Sequence, residues 1–168
     1  MRRKMKAMKT KDNKGKSDKR PSTYFELRSP KDMLSKAQRE YQRLGKSFNI
    51  DNIFNFFVTT YHIRDYIENT NFVEKSVIDD FFKDPELQIC RDLCNKGKHL
   101  FLDNRAHDPA LKTHIWKGCM GGAPLGTLPL GSYGKWVLFC GDGQEVAVES
   151  LARSVLVKWE RFFEEHDL

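Results

Sequence analysis

The chain is poor in cysteine and proline, with four and six in 168 residues, and it has no long hydrophobic run. Nowhere do 18 apolar residues stand together, so a membrane span is not expected. No apolar stretch follows the basic start, so a secretory signal is not expected either, and the chain is read as cytoplasmic. Cys90, Cys94, Cys119 and Cys140 do not form a disulfide framework. Set four apart on an expected helix, Cys90 and Cys94 would bridge badly. Joined by His99 and by Cys119 or Cys140 they would make a zinc set, but the spacing matches no common ligand pattern. Buried reduced thiols are the plainer reading, and no metal or cofactor is expected. Also missing are a Gly-x-Ser-x-Gly nucleophile turn, a Cys/His nucleophile arrangement and any internal repeat. Five glycines lie between Gly121 and Gly134, but without the strand–loop–helix setting of a phosphate-binding loop.

What is present divides unevenly. Residues 1–20 hold ten Lys and Arg against Asp12 and Asp18, a net charge of +8. The whole chain carries +6, so residues 21–168 carry −2. The first 22 residues therefore read as a disordered basic tail, too poor in apolar side chains to offset its own ordering entropy. Such a tail suits sequence-independent, salt-sensitive attachment to RNA or another nucleic acid. It is equally a solubilising arm, or a chain whose proper start is Met5 or Met8. Residues 23–168 are long enough for one domain with a real core.

Helical periodicity governs most of that domain. Ser29-Pro30-Lys31-Asp32 is a start signal with a capping box, and Met33, Leu34, Ala37, Tyr41 and Leu44 then keep one face until Gly45. A second helix begins near Asn49 or Asp51 and carries Ile50, Ile53, Phe54, Phe57, Val58 and Tyr61 as its expected core face. Continuing that face reaches Arg64, Asp65 and Ile67, and a buried Asp65 would need a cation such as Arg91 or Lys98. A third helix is expected over about 72–83, and Asp84-Pro85 opens a fourth that runs to about Lys98. After His99 the period changes. Leu100–Leu102, Thr113–Lys117 and Lys135–Cys140 read as extended, Gly121–Gly134 as an irregular loop and Asp142-Gly143 as a turn. The last helix carries Val148, Leu151, Ala152, Val155, Leu156, Trp159, Phe162 and Phe163 at spacings of three and four. The expected fold is mainly α: an antiparallel bundle of four to five helices, with a small β-hairpin inserted at about 100–141 before the C-terminal helix.

Function points to Arg91-Asp92-Leu93-Cys94-Asn95-Lys96-Gly97-Lys98-His99. At about 100° per residue, Lys98, Arg91, Asn95 and His99 follow one another across roughly a quarter of the helix circumference. Leu87, Cys90, Cys94 and Gly97 form an apolar arc beside them. A guanidinium grips phosphate as a fixed fork, and an imidazole carries protons at neutral pH. Asn95 and Lys98 add an amide and a second cation, and Asp65 is a candidate for orienting the imidazole. These are the parts that phosphodiester cleavage needs. A structural reading is open for the same residues: Arg91 paired with Asp65 or Asp92, Asn95 and His99 closing the helix end. His62 reads as an interior or boundary histidine, and Trp116 and Trp136 as packing residues or an exposed aromatic surface.

Four or five helices with Arg, a polar residue and then His on a later one resemble the HEPN family (higher eukaryotes and prokaryotes nucleotide-binding). The likeness rests on Arg91-Asp92 and His99 and covers roughly residues 31–104 and the last helix. It implies a metal-independent ribonuclease of a toxin–antitoxin or phage-defence system, acting on RNA as a homodimer in which two motifs face one another. In that family four to six residues separate Arg from His; here seven do. Tyr61–Tyr66 and Asn95–Leu100 are also similar to segments of uncharacterised bacterial proteins, which implies no activity. The competing expectation is a non-catalytic helical module for a protein partner or for RNA, with the Arg91–His99 segment structural.

Overall fold

A computed structural model of the chain describes residues 27–98, 112–116 and 135–168. Helix α1, Pro30–Lys46, starts as its sequence dictates: the Asp32 amide donates to Ser29 Oγ, and the Ser29 amide returns a bond to the Asp32 carboxylate. Its inward stripe is Met33, Leu34, Ala37, Glu40 and Leu44. Gly45 does not end it. The helix runs one residue further and leaves through extended Ser47, so no left-handed glycine is required.

Helix α2, Ile50–Thr70, is capped by the Asn49 side chain and stopped by Asn71 in the left-handed region, φ 55°. Its buried stripe keeps Ile53, Phe57 and Ile67 of the expected face and is otherwise rotated. Ile53, Phe56, Phe57, Thr59, Thr60, Ile63 and Ile67 face inward, whereas Ile50 and Phe54 stay exposed. Two threonines account for the shift. Thr60 returns its hydroxyl to the Phe56 carbonyl at 3.0 Å, and Thr59 accepts from Lys36 at 2.6 Å, so both enter the core with their hydrogen bonds made. Asp65, two residues past Ile63, is thereby turned outward.

Helix α3, Lys75–Phe81, is shorter than the expected span. Asn71 and the Glu74 cap take its beginning, and a turn at Phe82–Asp84 takes its end. Arg64 ties it to α2, holding Glu68 at 2.7 Å and Asp79 at 2.5 Å while lying 5.0 Å over the Phe82 ring. Helix α4, Pro85–Lys98, starts on Asp84, whose Oδ1 accepts the Glu86 and Leu87 amides. Helix α5, Val148–Glu165, buries all eight apolar positions that its periodicity marked. Lys158 bridges from α5 to Asp84 and Glu86 and so locks α5 to the start of α4.

The helices form an antiparallel bundle: α1 lies on α2 and α5, and α4 on α2 and α5. Before α5 comes a small antiparallel sheet of β1 (Lys112–Trp116), β2 (Lys135–Phe139) and β3 (Glu145–Ala147), in that order. The sequence showed the β1–β2 pair. The third strand, three residues long, was hidden between the turn signal and the helix. Gly143, at φ +83°, and the Asp142 carboxylate, accepting the Gln144 amide, make the turn that brings β3 back. Leu138 of β2 enters the core, where Trp159 is packed among Phe81, Phe82, Phe162 and Phe163. No helix among the described residues is long and apolar enough to cross a membrane.

Candidate functional site

Helix α4 places three of the five candidate residues on one backbone. Its apolar arc, Leu87, Cys90 and Cys94, is wholly buried and fixes the helix's rotation against α2. Cys90 lies 3.4 Å from the Thr60 hydroxyl, and burial pushes its thiol up to about 12, so it is no nucleophile at neutral pH. With that arc inward, Arg91 falls at its margin, half-buried. Asn95 follows one turn later, also half-buried, and Lys98 is the last residue of the helix.

The guanidinium of Arg91 faces its neighbour Asp92: Nε and one terminal nitrogen stand 3.4 Å from Oδ1. Asp92 is 0% exposed, an unusual place for a carboxylate. A fully buried acid restrains the guanidinium electrostatically while a quarter of the arginine side chain stays open to solvent. Of the two partners the sequence offered Arg91, the structure shows Asp92. Asp65 is more than half exposed, with its Oδ2 3.9 Å from His62 Nε2. Its exposure follows from the rotation of the α2 stripe described above.

Tyr61 is the residue that sequence reasoning missed. It was assigned to the core, yet its phenol is only partly buried, with Arg64, Asp65, Cys94 and Arg91 close enough to act on it. Burial raises its pKa above the ordinary phenol value, with Arg64 and Arg91 opposing the rise and Asp65 and Cys94 adding to it, so it is a neutral donor and acceptor at pH 7. The ring is held edge-on by Phe82 at 6.0 Å and His62 at 5.4 Å. His62 Nδ1 bonds the Val58 carbonyl at 2.7 Å, the boundary histidine its sequence position suggested. The only signal for Tyr61 in the sequence was its place beside His62 and ahead of Arg64 and Asp65.

The structure thus brings Arg91 and Asn95 together on one helix, with Tyr61 across from Arg91 and Asp65 beyond it on α2. His99, Cys119 and the 121–134 glycines lie outside the described residues, as does the tail. Among the described residues no disulfide forms, and no three His, Cys, Asp or Glu side chains gather as a metal site. Trp136 is half-buried at the edge of a cavity, so on this strand the aromatic serves packing. Chemically, the described part of this region offers a restrained cation and a neutral phenol, with the Asn95 amide one helical turn beyond Arg91. The chain matches no known protein family, no curated protein and no solved structure.

Proposed function

We propose that the chain is a HEPN-like, metal-independent endoribonuclease of a bacterial or phage toxin or defence system, or a degenerate relative of one. The observation that carries this reading is the setting of Arg91: a partly open guanidinium backed by a fully buried carboxylate, one turn before Asn95 on the helix that leads into His99. In this reading Arg91 holds the scissile phosphate and Asn95 fixes a second substrate oxygen. Lys98 adds positive charge as it develops on the phosphoryl group. His99 takes the proton from the attacking 2′-hydroxyl, the leaving 5′-oxygen is protonated in turn, and the product is a cyclic phosphate. Asp65, next to His62, is too exposed for a buried orienting acid and acts at most at the rim. Two copies facing one another would complete the site.

Incubating RNA with the purified chain in EDTA, beside His99→Ala and Arg91→Ala, tests the reading. The native chain is expected to cleave, and both variants to lose at least about a hundredfold, the usual contribution of a positioned acid–base group. Equal cleavage by native and His99→Ala, or none by either, ends it.

The contact between Arg91 and Asp92 also favours a second reading, a non-catalytic module that binds protein, or RNA through its tail. Then His99→Ala lowers the melting temperature by about 3 °C, the shift that about 1 kcal/mol gives in a domain of this size. Removing residues 1–20 abolishes salt-sensitive RNA binding and leaves stability unchanged. Binding that survives the deletion excludes the tail as the anchor.

A further inference from the structure

Away from Arg91, four elements converge without filling the space between them. Ile50, Ile53, Phe54 and Phe57 occupy one face of the first two turns of α2. Leu93, Lys96 and Gly97 of α4, Trp136 and Leu138 of β2 and Val148 of α5 complete a cavity of about 200 Å³. Its floor is fully buried: Phe57, Leu138 and Val148 are at most 2% exposed. Its mouth is open, because Ile50 is 55% and Phe54 38% exposed. Gly97 sets its shape. A Cβ there would fall 2.4 Å from Phe54 Cε2, so the missing side chain is what lets that ring lie against α4 as a wall.

We infer that this cavity is a binding site for a small aromatic carboxylate. Size comes first: an apolar cavity of about 150 Å³ accepts benzene, so about 200 Å³ takes one ring and a short arm. Shape and composition come next. Of the ten described residues that line the cavity, three are aromatic (Phe54, Phe57 and Trp136), and they offer faces and edges to a ring. Charge completes the assignment, since among the described residues that line the cavity Lys96 is the one that is charged. An ammonium has three donors, so it can take a carboxylate in addition to the contacts it already makes. The ligand's ring would enter past Phe54, and its carboxylate would stay at Lys96. Few convergent polar groups in a mostly apolar pocket is the usual composition of a small-molecule site. Lys96 lies on α4 one residue beyond Asn95, so occupancy would be felt at the end of the helix that carries Arg91.

The test uses the whole chain and 3-phenylpropionate as probe, with benzyl alcohol as its uncharged counterpart, followed by calorimetry and Trp fluorescence. Saturable binding of 3-phenylpropionate is expected. Lys96→Gln should weaken it about tenfold while leaving benzyl alcohol unchanged. Leu93→Trp, which fills the cavity, should abolish binding of both, and Leu93→Met, which conserves volume, should bind like the native chain. Should Leu93→Trp fail to fold, the Lys96→Gln comparison decides. No binding by the native chain, an equal affinity in Lys96→Gln, or undiminished binding in a folded Leu93→Trp would overturn the assignment. A native chain that takes benzyl alcohol but not 3-phenylpropionate overturns it too, leaving only a packing gap.

Discussion

Replacing Trp159 by Phe sets two effects of known size against each other. The indole is wholly buried among four phenylalanine rings, the nearest, Phe81, with its centroid 4.8 Å away. Among the described residues its Nε1 has no acceptor. Trp159→Phe removes roughly 40 Å³ of ring, a cavity that costs about 1 kcal/mol at about 24 cal/mol per Å³. The apolar surface lost, roughly 40 Å² at about 25 cal/mol per Å², costs about 1 kcal/mol more. Against these stands relief of an unsatisfied buried N–H, about 1–3 kcal/mol. The expected result is a variant within about 1 kcal/mol of the native chain, whereas Trp159→Ala loses about 3–5 kcal/mol. Urea unfolding followed by far-ultraviolet circular dichroism, with the same m value for native and variant, measures the difference. A loss above about 3 kcal/mol for Trp159→Phe would refute the reasoning, because only a lost hydrogen bond could add that much.

Glu40 yields a pH prediction. Burial alone would push its carboxyl up, but hydrogen bonds from Arg43 and Lys36 outweigh this and hold it below the ordinary glutamate value. Its contribution is therefore present above the unfolded value of about 4.3 and is lost as pH falls through the lower folded one. Glu40→Gln should be less stable than the native chain at pH 7, the gap closing below about pH 4; a gap independent of pH contradicts the linkage. Lys158→Met leaves Asp84 and Glu86 without their shared cation. A loss of about 1 kcal/mol, the ordinary size for a partly exposed pair, should appear as a fall of about 3 °C in melting temperature, and Lys158→Arg should restore most of it. Gly97→Ala gains up to about 1 kcal/mol of helix propensity but must displace Phe54. It should therefore stabilise a Phe54→Ala background more than the native one by at least about 0.5 kcal/mol, and strict additivity in the double-mutant cycle would count against the contact.

Much of the fold was legible because the signals were local. The Ser29–Asp32 capping box and Asp84-Pro85 set helix starts through bonds to neighbours in sequence, and α5 kept a strict period over five turns. The α2 face was misread because apolar type was taken as a proxy for burial. Thr59 and Thr60 satisfy their hydroxyls within the core, so the stripe widened toward them and left Ile50 and Phe54 outside. From that one rotation follows the outward Asp65. Strand β3 went unseen because three residues are too few to establish a period of two. Of the candidate site, periodicity placed Arg91 and Asn95 on a common helix, but not Tyr61. Arg91 and Cys94 reach it from another helix, and only packing brings them together.

The sealed thiols on α4 turn the bundle into its own recorder of breathing motions. Cys90 and Cys94 are at most 1% exposed, and protonation silences Cys90 further. An alkylating reagent reaches them only when α4 swings away from α2, so the slow phase of labelling times that opening event. Cys140, half-covered beyond β2, should react earlier and mark looser motion at the sheet edge.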